Sequence, residues 1–381
     1  MVQDIDIHYG LAGVNIDTSH IASIDGDRGQ LIYRGYDISE LEQASFEEVT
    51  YLLWNDDLPN AAQLADFQEH LRPHFAISDE IVSLLKLMPK DIHPMAALRT
   101  AVSALAASDD NVDDTSLDNV RDIAFRLTAK FPTITAAFQR IRNGLEPIAP
   151  REDLGIAANF LYMLTGEEPS DAAVRTMDVA LVLHAEHGSN ASTFVARATA
   201  SSLTDAYSAI TAAMGSLKGP LHGGANTAVM NTLESIGDIS HVEQHVIDIL
   251  NTPGGRVMGF GHRVYRVLDP RAVILRRVSE RLAQESGESK WFDMSLEMVR
   301  VMDREMAKKG KPVKPNVDFF SASVYRMLGF PGDMYTPIFA VARISGWMAH
   351  LLEQYAENKL MRPRLVYQGP KGKSFTPVEA R

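Results

Sequence analysis

Two histidines and one carboxylate, far apart along the chain, carry the chemistry that the sequence offers. His222 lies in Gly219-Pro-Leu-His222-Gly-Gly-Ala-Asn226, His262 in Gly259-Phe-Gly-His262-Arg-Val-Tyr265, and Asp318 in Pro315-Asn-Val-Asp318-Phe-Phe. Each ionisable side chain sits where glycine or proline shapes the backbone. Such a trio suits proton transfer at a carbon next to a carbonyl, provided that folding brings its members together. The glycines around His222 permit unusual backbone angles and close approach of a substrate. A helix starting just after it would favour a neutral imidazole that donates a hydrogen bond. The plainer reading of His222 is a loop histidine beside a helix start. Around His262, a Gly-x-Gly pair could approach a nucleotide-bearing ligand through its backbone. The third glycine of a dinucleotide fingerprint is missing, however, and no P-loop lysine follows. Asp318 precedes Phe319 and Phe320, and apolar neighbours would raise its proton affinity, as the base for a carbon acid requires. Its plainer reading is a helix cap satisfied by backbone N–H groups.

Other polar residues cluster near these three. Arg256, Arg263, Arg266, Arg271, Arg276, Arg277 and Arg281 crowd one stretch. The last three read as the solvated face of a helix. Arg263 and Arg271 flank the His262 segment and are expected to bind anions, because a planar fork of donors suits carboxylates and phosphates. His184-Ala-Glu-His187 sets two histidines three apart, but it is not the His-Glu-x-x-His of a zinc enzyme and has no evident third ligand. No metal is expected there. Gly188-Ser-Asn190 reads as a helix break or cap, which leaves His187 near a helix end as a polar substrate contact.

The elements that must position these groups are mostly helical. Short apolar runs at 21–24 and 31–33, around Asp25-Gly-Asp-Arg-Gly29, predict a small β-hairpin. After it, strand signals fade. Ile123, Leu127, Phe131, Ile134, Phe138 and Ile141 recur at helical spacing, with Pro132 expected to bend or break that helix. Ser170 reads as a cap ahead of Val174, Met177, Leu181 and His184 on one face. The Ala- and Gly-rich stretch 191–214 predicts close helix packing, in the core or at a dimer interface. A buried helix containing Trp347 is expected within 324–352. Residues 308–315, with Gly310, Pro312 and Pro315, form the clearest loop, and the tail from Pro363 should extend over the surface or over a neighbour.

Composition narrows the function classes. A chain of 381 residues can bury a large core and would divide into two or three domains by length alone. With 45% hydrophobic and 23% charged residues it is ordinary globular protein rather than a disordered chain. The first residues show neither the apolar run nor the basic cluster of a leader. No stretch reaches the roughly 18–20 apolar residues of a membrane span. The cytoplasm is the expected location. The absence of cysteine excludes disulfides, thiolate nucleophiles and cysteine metal sites. A net charge of −12 disfavours nucleic acid and anionic membranes as partners, while small anions respond to local fields instead.

Taken together and in this order, the segments resemble the citrate synthase family over nearly the whole chain. The likeness runs from Gly10-Leu-Ala-Gly-Val14 and Tyr33-Arg-Gly-Tyr36 through His187-Gly-Ser-Asn-Ala-Ser-Thr193 and the His222 and His262 segments. It continues to Asp269-Pro-Arg271, Pro315-Asn-Val-Asp318 and Arg362-Pro-Arg364. The resemblance implies a mainly α, two-domain homodimer with residues 1–221 and 326–381 in a large domain and 222–325 in a small one. It also implies condensation of acetyl-CoA with oxaloacetate and water to citrate and CoA, with no cofactor. Asp318 matches the base that takes the methyl proton, His222 the donor to the enolate, and His262 the donor to the oxaloacetate ketone. His187, Arg271 and Arg343 match substrate contacts, and Arg362 an arginine donated across the dimer. CoA contacts are expected from Arg256, Gly259, Phe260, Gly261, Lys311 and Lys314. The near rival is 2-methylcitrate synthase, which uses propionyl-CoA, although Leu221 and Arg263-Val-Tyr265 lean toward citrate. Rivals of another class are a metal-dependent hydrolase using His184, His187 and Asp318, and a non-catalytic helical scaffold.

Overall fold

The computed structural model describes residues 7–11 and 13–381, so Ala12 of the Gly10 motif and residues 1–6 of the N-terminal reading lie outside the described residues. A three-stranded antiparallel sheet of β1 (Ala22–Asp25), β2 (Gln30–Tyr33) and β3 (Tyr36–Asp37) opens the fold. Ala22 faces Tyr33, and Asp25 faces Gln30 across the turn. The expected hairpin is therefore present, extended by a third strand that Gly35, at φ 92°, turns back on the second.

Helices make up most of the remainder. First come α1 (Phe46–Asn55), α2 (Ala61–Leu71), α3 (Asp79–Leu87), α4 (Pro94–Leu105), α5 (Leu117–Arg142) and α6 (Ile156–Thr165). Next are α7 (Asp171–His184), α8 (Ala191–Ala200) and α9 (Ala206–Leu217). Then follow α10 (Ala225–Ile236), α11 (Val242–Asn251), α12 (Pro270–Ser286), α13 (Lys290–Lys308) and α14 (Val317–Met327). The last is α15 (Tyr335–Ala356). Their starts are written locally. Ser45 and Glu48 close a capping box on α1, Asn60 and Gln63 do so on α2, and the Ser170 hydroxyl accepts from Ala173 N–H at α7 as expected.

Helix α15 is the axis of the core. It is apolar almost all round, which marks a helix enclosed by others, and it packs against α1, α5, α7, α8 and α9. Trp347 and Arg343 are the largest of its fully enclosed side chains. Ala196, Ala200, Ala209 and Ala213 are buried and let α8 and α9 pack closely within this one chain. A second group forms where α14 packs on α10, α12 and α13, with α11 on α13. It meets the first through contacts of α12 with α7 and of α10 with α15.

Of the bend or break expected at Pro132, the break does not occur: α5 runs through it for 26 residues. A proline in a helix interior removes one hydrogen bond and crowds the preceding turn, at a cost of about 3 kcal/mol or more. Buried neighbours on both sides, Phe131, Ile134 and Phe138 among them, and packing on α4, α6 and α15 offset that cost. The loop after α13 and the tail behave as expected: residues 309–312 and 362–368 are exposed, and no α-helix follows α15 among the described residues.

Candidate active site

His222 sits in the turn between α9 and α10, with Gly224 as the helix cap, so the expected helix does begin just beyond it. Gly223 is required there, since a Cβ would lie 2.5 Å from the Leu217 carbonyl oxygen. Nε2 of His222 accepts the backbone N–H of Ser192 at 3.3 Å and lies 2.8 Å from the Ser192 hydroxyl. That hydroxyl also receives the indole N–H of Trp347 at 3.2 Å. With Nε2 accepting, the ring proton belongs on Nδ1, which makes no protein hydrogen bond among the described residues. Burial first, and the charges of Arg343 and Arg263 next, push the His222 pKa down to about 4. The ring is neutral near pH 7.

His262 is held in the mirror sense. Its Nδ1 accepts the backbone N–H groups of Val264 and Tyr265 at 3.0 and 3.2 Å. The proton therefore belongs on Nε2. Burial, aided by Arg271, brings this pKa to about 4 as well. His187 lies in the connector between α7 and α8, whose start is capped by Asn190. Its ring centroid is 5.3 Å from that of His262, and its Nε2 is 3.1 Å from the Tyr265 hydroxyl. Burial and then Arg271 hold its pKa well below the ordinary value. Thus three neutral imidazoles each have one nitrogen engaged by the protein and the other unclaimed among the described residues.

Asp318 stands in the first turn of α14, yet it is not the cap. Asn316 takes that duty, its side-chain oxygen accepting Asp318 N–H at 3.1 Å. Asp318 Oδ1 is sealed from solvent and has no partner among the described residues. Burial raises its pKa to about 6, against the opposing pull of Arg271. The cap reading of Asp318 is therefore replaced by that of a free carboxylate with raised proton affinity.

Short backbone links tie the carboxylate to the His262 loop. Gly261 N–H donates to Lys314 O at 2.8 Å, Asn316 N–H donates to Gly259 O at 2.9 Å, and the Asn316 amide donates to Gly261 O at 2.8 Å. Gly259 adopts φ 80°, and a Cβ there would meet Val229 at 2.7 Å and Phe319 at 2.8 Å. Only glycine lets the loop lie so close to α14.

The arginines are anchored differently. Arg271 and Asp269 are both buried and joined in a bidentate pair at 3.0 and 2.8 Å. Burial opposes the Arg271 charge, but Asp269 outweighs it and holds the pKa above the ordinary value. Asp269 also caps α12 by accepting Arg271 N–H and receives Val317 N–H at the start of α14. Arg343 donates from Nε to the His184 carbonyl at the end of α7, at 2.7 Å. Its Nη1 is buried without a partner among the described residues, and burial pushes its pKa down to about 10.

The structure thus brings His187, His222, His262, Asp318, Arg271 and Arg343 into one electrostatic neighbourhood. Arg362 is not among them, since it lies in the exposed segment after α15. Gly259, Phe260 and Gly261 belong to the linked loop. Arg256, Arg263 and Lys311 are exposed, and Lys314 pairs with Asp303 at 2.8 Å. His184, offered to the metal rival, is a core residue: Nδ1 bonds the Ala180 carbonyl at 2.7 Å and the ring packs on Phe339 and Tyr325. Ser192, Tyr265, Asp269 and Asn316 were missed as supporting residues. All four stand inside the motifs that carry the chemistry-bearing residues, which was the only signal available.

The profile described as "Citrate synthase, C-terminal domain" matches residues 10–364. A Bacillus subtilis protein named citrate synthase 2 is 50% identical, over 98% of each chain. A Corynebacterium glutamicum protein named 2-methylcitrate synthase 2 is 41% identical, over 99% of this chain and 98% of its own. Among solved structures, the citrate synthase of Thermoplasma acidophilum in ternary complex with carboxymethyl coenzyme A and oxaloacetate has a TM-score of 0.93. It shares 33% identity and matches 98% of this chain and 99% of its own. With its site geometry, its fold and these full-length matches in agreement, the chain belongs to the citrate synthase family.

Proposed function

We propose that the protein joins acetyl-CoA to oxaloacetate and hydrolyses the product thioester, giving citrate and CoA. The observation that supports this most is the set of three neutral imidazoles, His222 and His187 anchored at Nε2 and His262 at Nδ1, sharing one electrostatic neighbourhood with an unpaired carboxylate. Asp318 takes a proton from the acetyl methyl group, and the electron pair moves onto the thioester oxygen. His222 Nδ1–H donates to that oxygen. The enolate carbon attacks the oxaloacetate ketone carbon while His262 Nε2–H donates to the ketone oxygen and protonates the alkoxide. Water then cleaves the citryl thioester to release CoA. Arg271 and Arg343 hold the carboxylates of oxaloacetate, with His187 beside them. No step calls for a cofactor.

Magnitudes favour this division of labour. A thioester α-proton is far less acidic than a carboxylic acid, and each pKa unit of mismatch costs about 1.4 kcal/mol. Raising Asp318 to about 6 narrows the gap only slightly. A donor aimed at a developing oxyanion contributes about 3–4 kcal/mol, so the histidines must supply more than the base does. They can, because a neutral, pre-oriented ring needs no reorganisation as charge develops.

Residues 222–325 form the smaller domain in this reading, closing on 1–221 and 326–381 to exclude water. Two chains complete each other's sites through Arg362, whose exposure leaves it available to a neighbour. Arg362→Ala should then abolish most activity. Mixing it with an Asp318→Asn chain should restore about a quarter of the wild-type rate, since half of random pairs are mixed and each carries one intact site. Absence of restoration after subunit exchange would remove Arg362 from the shared-site role.

The acyl group is tested by CoA release with oxaloacetate saturating. Acetyl-CoA should exceed propionyl-CoA by about tenfold or more in kcat/KM, since one methylene is worth about 1–3 kcal/mol. A preference for propionyl-CoA would make 2-methylcitrate the product. No CoA from either would overturn the reading.

A further inference from the structure

Tyr265 holds both histidines of the oxaloacetate side at once. Its backbone N–H donates to His262 Nδ1 at 3.2 Å, and its hydroxyl lies 3.1 Å from His187 Nε2. Its ring packs against both imidazoles, with centroids at 4.8 Å from His262 and 5.5 Å from His187. The residue is buried, at 4% exposure, and its hydroxyl has no other hydrogen-bond partner among the described residues. Its only acceptor is therefore His187.

We propose that Tyr265 is a positioning residue that fixes the tautomer of His187, its hydroxyl donating to Nε2 so that Nδ1–H is presented to oxaloacetate. The inference rests on the reaction proposed above for its substrate. A neutral histidine with two equivalent choices of ring proton presents a donor to the substrate only part of the time. One fixed hydrogen bond removes that ambiguity. Burial raises the Tyr265 pKa, which keeps the proton on the hydroxyl, and His187 stays neutral through its own burial. The direction of the bond follows: phenol donates, imidazole accepts. The arrangement complements that of His262, where the same residue secures Nδ1 through its main chain. Tyr265 thereby acts on both rings, alone at His187 and together with the Val264 N–H at His262.

The two roles separate experimentally, because Tyr265→Phe deletes the hydroxyl and keeps both the ring and the backbone N–H. KM for oxaloacetate should rise about tenfold, the scale of one lost hydrogen bond to a substrate-facing group, with kcat within about threefold of wild type. Adding Tyr265→Phe to His187→Gln should cost nothing further. An unchanged KM, or a fall in kcat at constant KM, would overturn the proposal, as would full additivity in the double variant. Nitrogen-15 NMR of labelled histidine needs no turnover. It should show His187 Nε2 unprotonated in the wild type and mixed tautomers in Tyr265→Phe, and a protonated Nε2 in the wild type would also overturn the proposal. That readout stands apart from the reaction: a wild-type protein that fixes this tautomer yet releases no CoA would refute the proposed reaction alone.

Discussion

Asp318→Asn is expected to lower kcat by about 10²–10⁴-fold while oxaloacetate affinity changes by less than about threefold. The amide is nearly isosteric but cannot take a proton from carbon. In the proposed reaction oxaloacetate is bound by arginines and His187, which the substitution leaves in place. In the wild type the same group should appear as an acid limb of kcat/KM falling below about pH 6, because the base must be ionised. Stability should move the opposite way. The folded-state pKa lies above the unfolded one, so the folded state holds the extra proton between about pH 4 and 6, and stability falls as pH rises through that window. At pH 8 the ionised, unpartnered carboxylate is a burden of up to about 3 kcal/mol, from 1.4 kcal/mol per pKa unit. The variant should therefore unfold at higher urea concentration than the wild type at pH 8, with the gain vanishing near pH 4. Near-normal turnover would remove Asp318 from the base role, and an unchanged or lower urea midpoint at pH 8 would contradict its desolvation.

Asp269→Ala carries the largest expected effect on the fold. The carboxylate pairs with a buried arginine, caps α12 and receives the first N–H of α14. Removing one partner of a buried ion pair typically costs about 3–5 kcal/mol because the other charge is left uncompensated. Burial would raise the Asp269 pKa, but Arg271 overrides it and holds the carboxyl below its usual range. The stabilisation is thus present at neutral pH and is lost as pH falls through that lowered pKa. The unfolding free energy should drop by that amount, and KM for oxaloacetate should rise as Arg271 loses its orientation. Asp269→Asn, which keeps the cap oxygen but not the charge, should cost less stability than alanine. A stability cost near zero for Asp269→Asn would show that charge is not what holds Arg271.

How far the sequence reaches depends on what each residue does. Helical periodicity found α5 because its buried face repeats along the chain. It left open whether Pro132 bends or breaks the helix, because tolerance of that proline comes from packing on α4, α6 and α15, which no local pattern displays. The trio was legible because glycine and proline mark unusual backbone near His222, His262 and Asp318. What those side chains touch was not. Whether Asp318 caps α14 turned on Asn316, two residues earlier, which satisfies the helix end and leaves the carboxylate free. Ser192 and His222 lie 30 residues apart, and Tyr265 and His187 lie 78 apart. Contacts of that kind exist only once helices are packed. Arg362 shows the remaining limit: within one chain it is an exposed tail residue, and the role proposed for it depends on a second chain.

The link between residues 259–261 and 314–316 has a consequence for chain integrity. The connection from α13 to α14 passes through exposed residues 309–312, including Gly310 at φ 63°, where a protease would find easy access. Yet the base does not depend on that connection for its distance from His262, because the hydrogen bonds at Gly259, Gly261, Lys314 and Asn316 all lie beyond it on the site's own side. A cut there would sever the polypeptide and leave Asp318 tied to the His262 loop by these hydrogen bonds. In this fold, continuity of the chain and continuity of the catalytic centre are distinct properties.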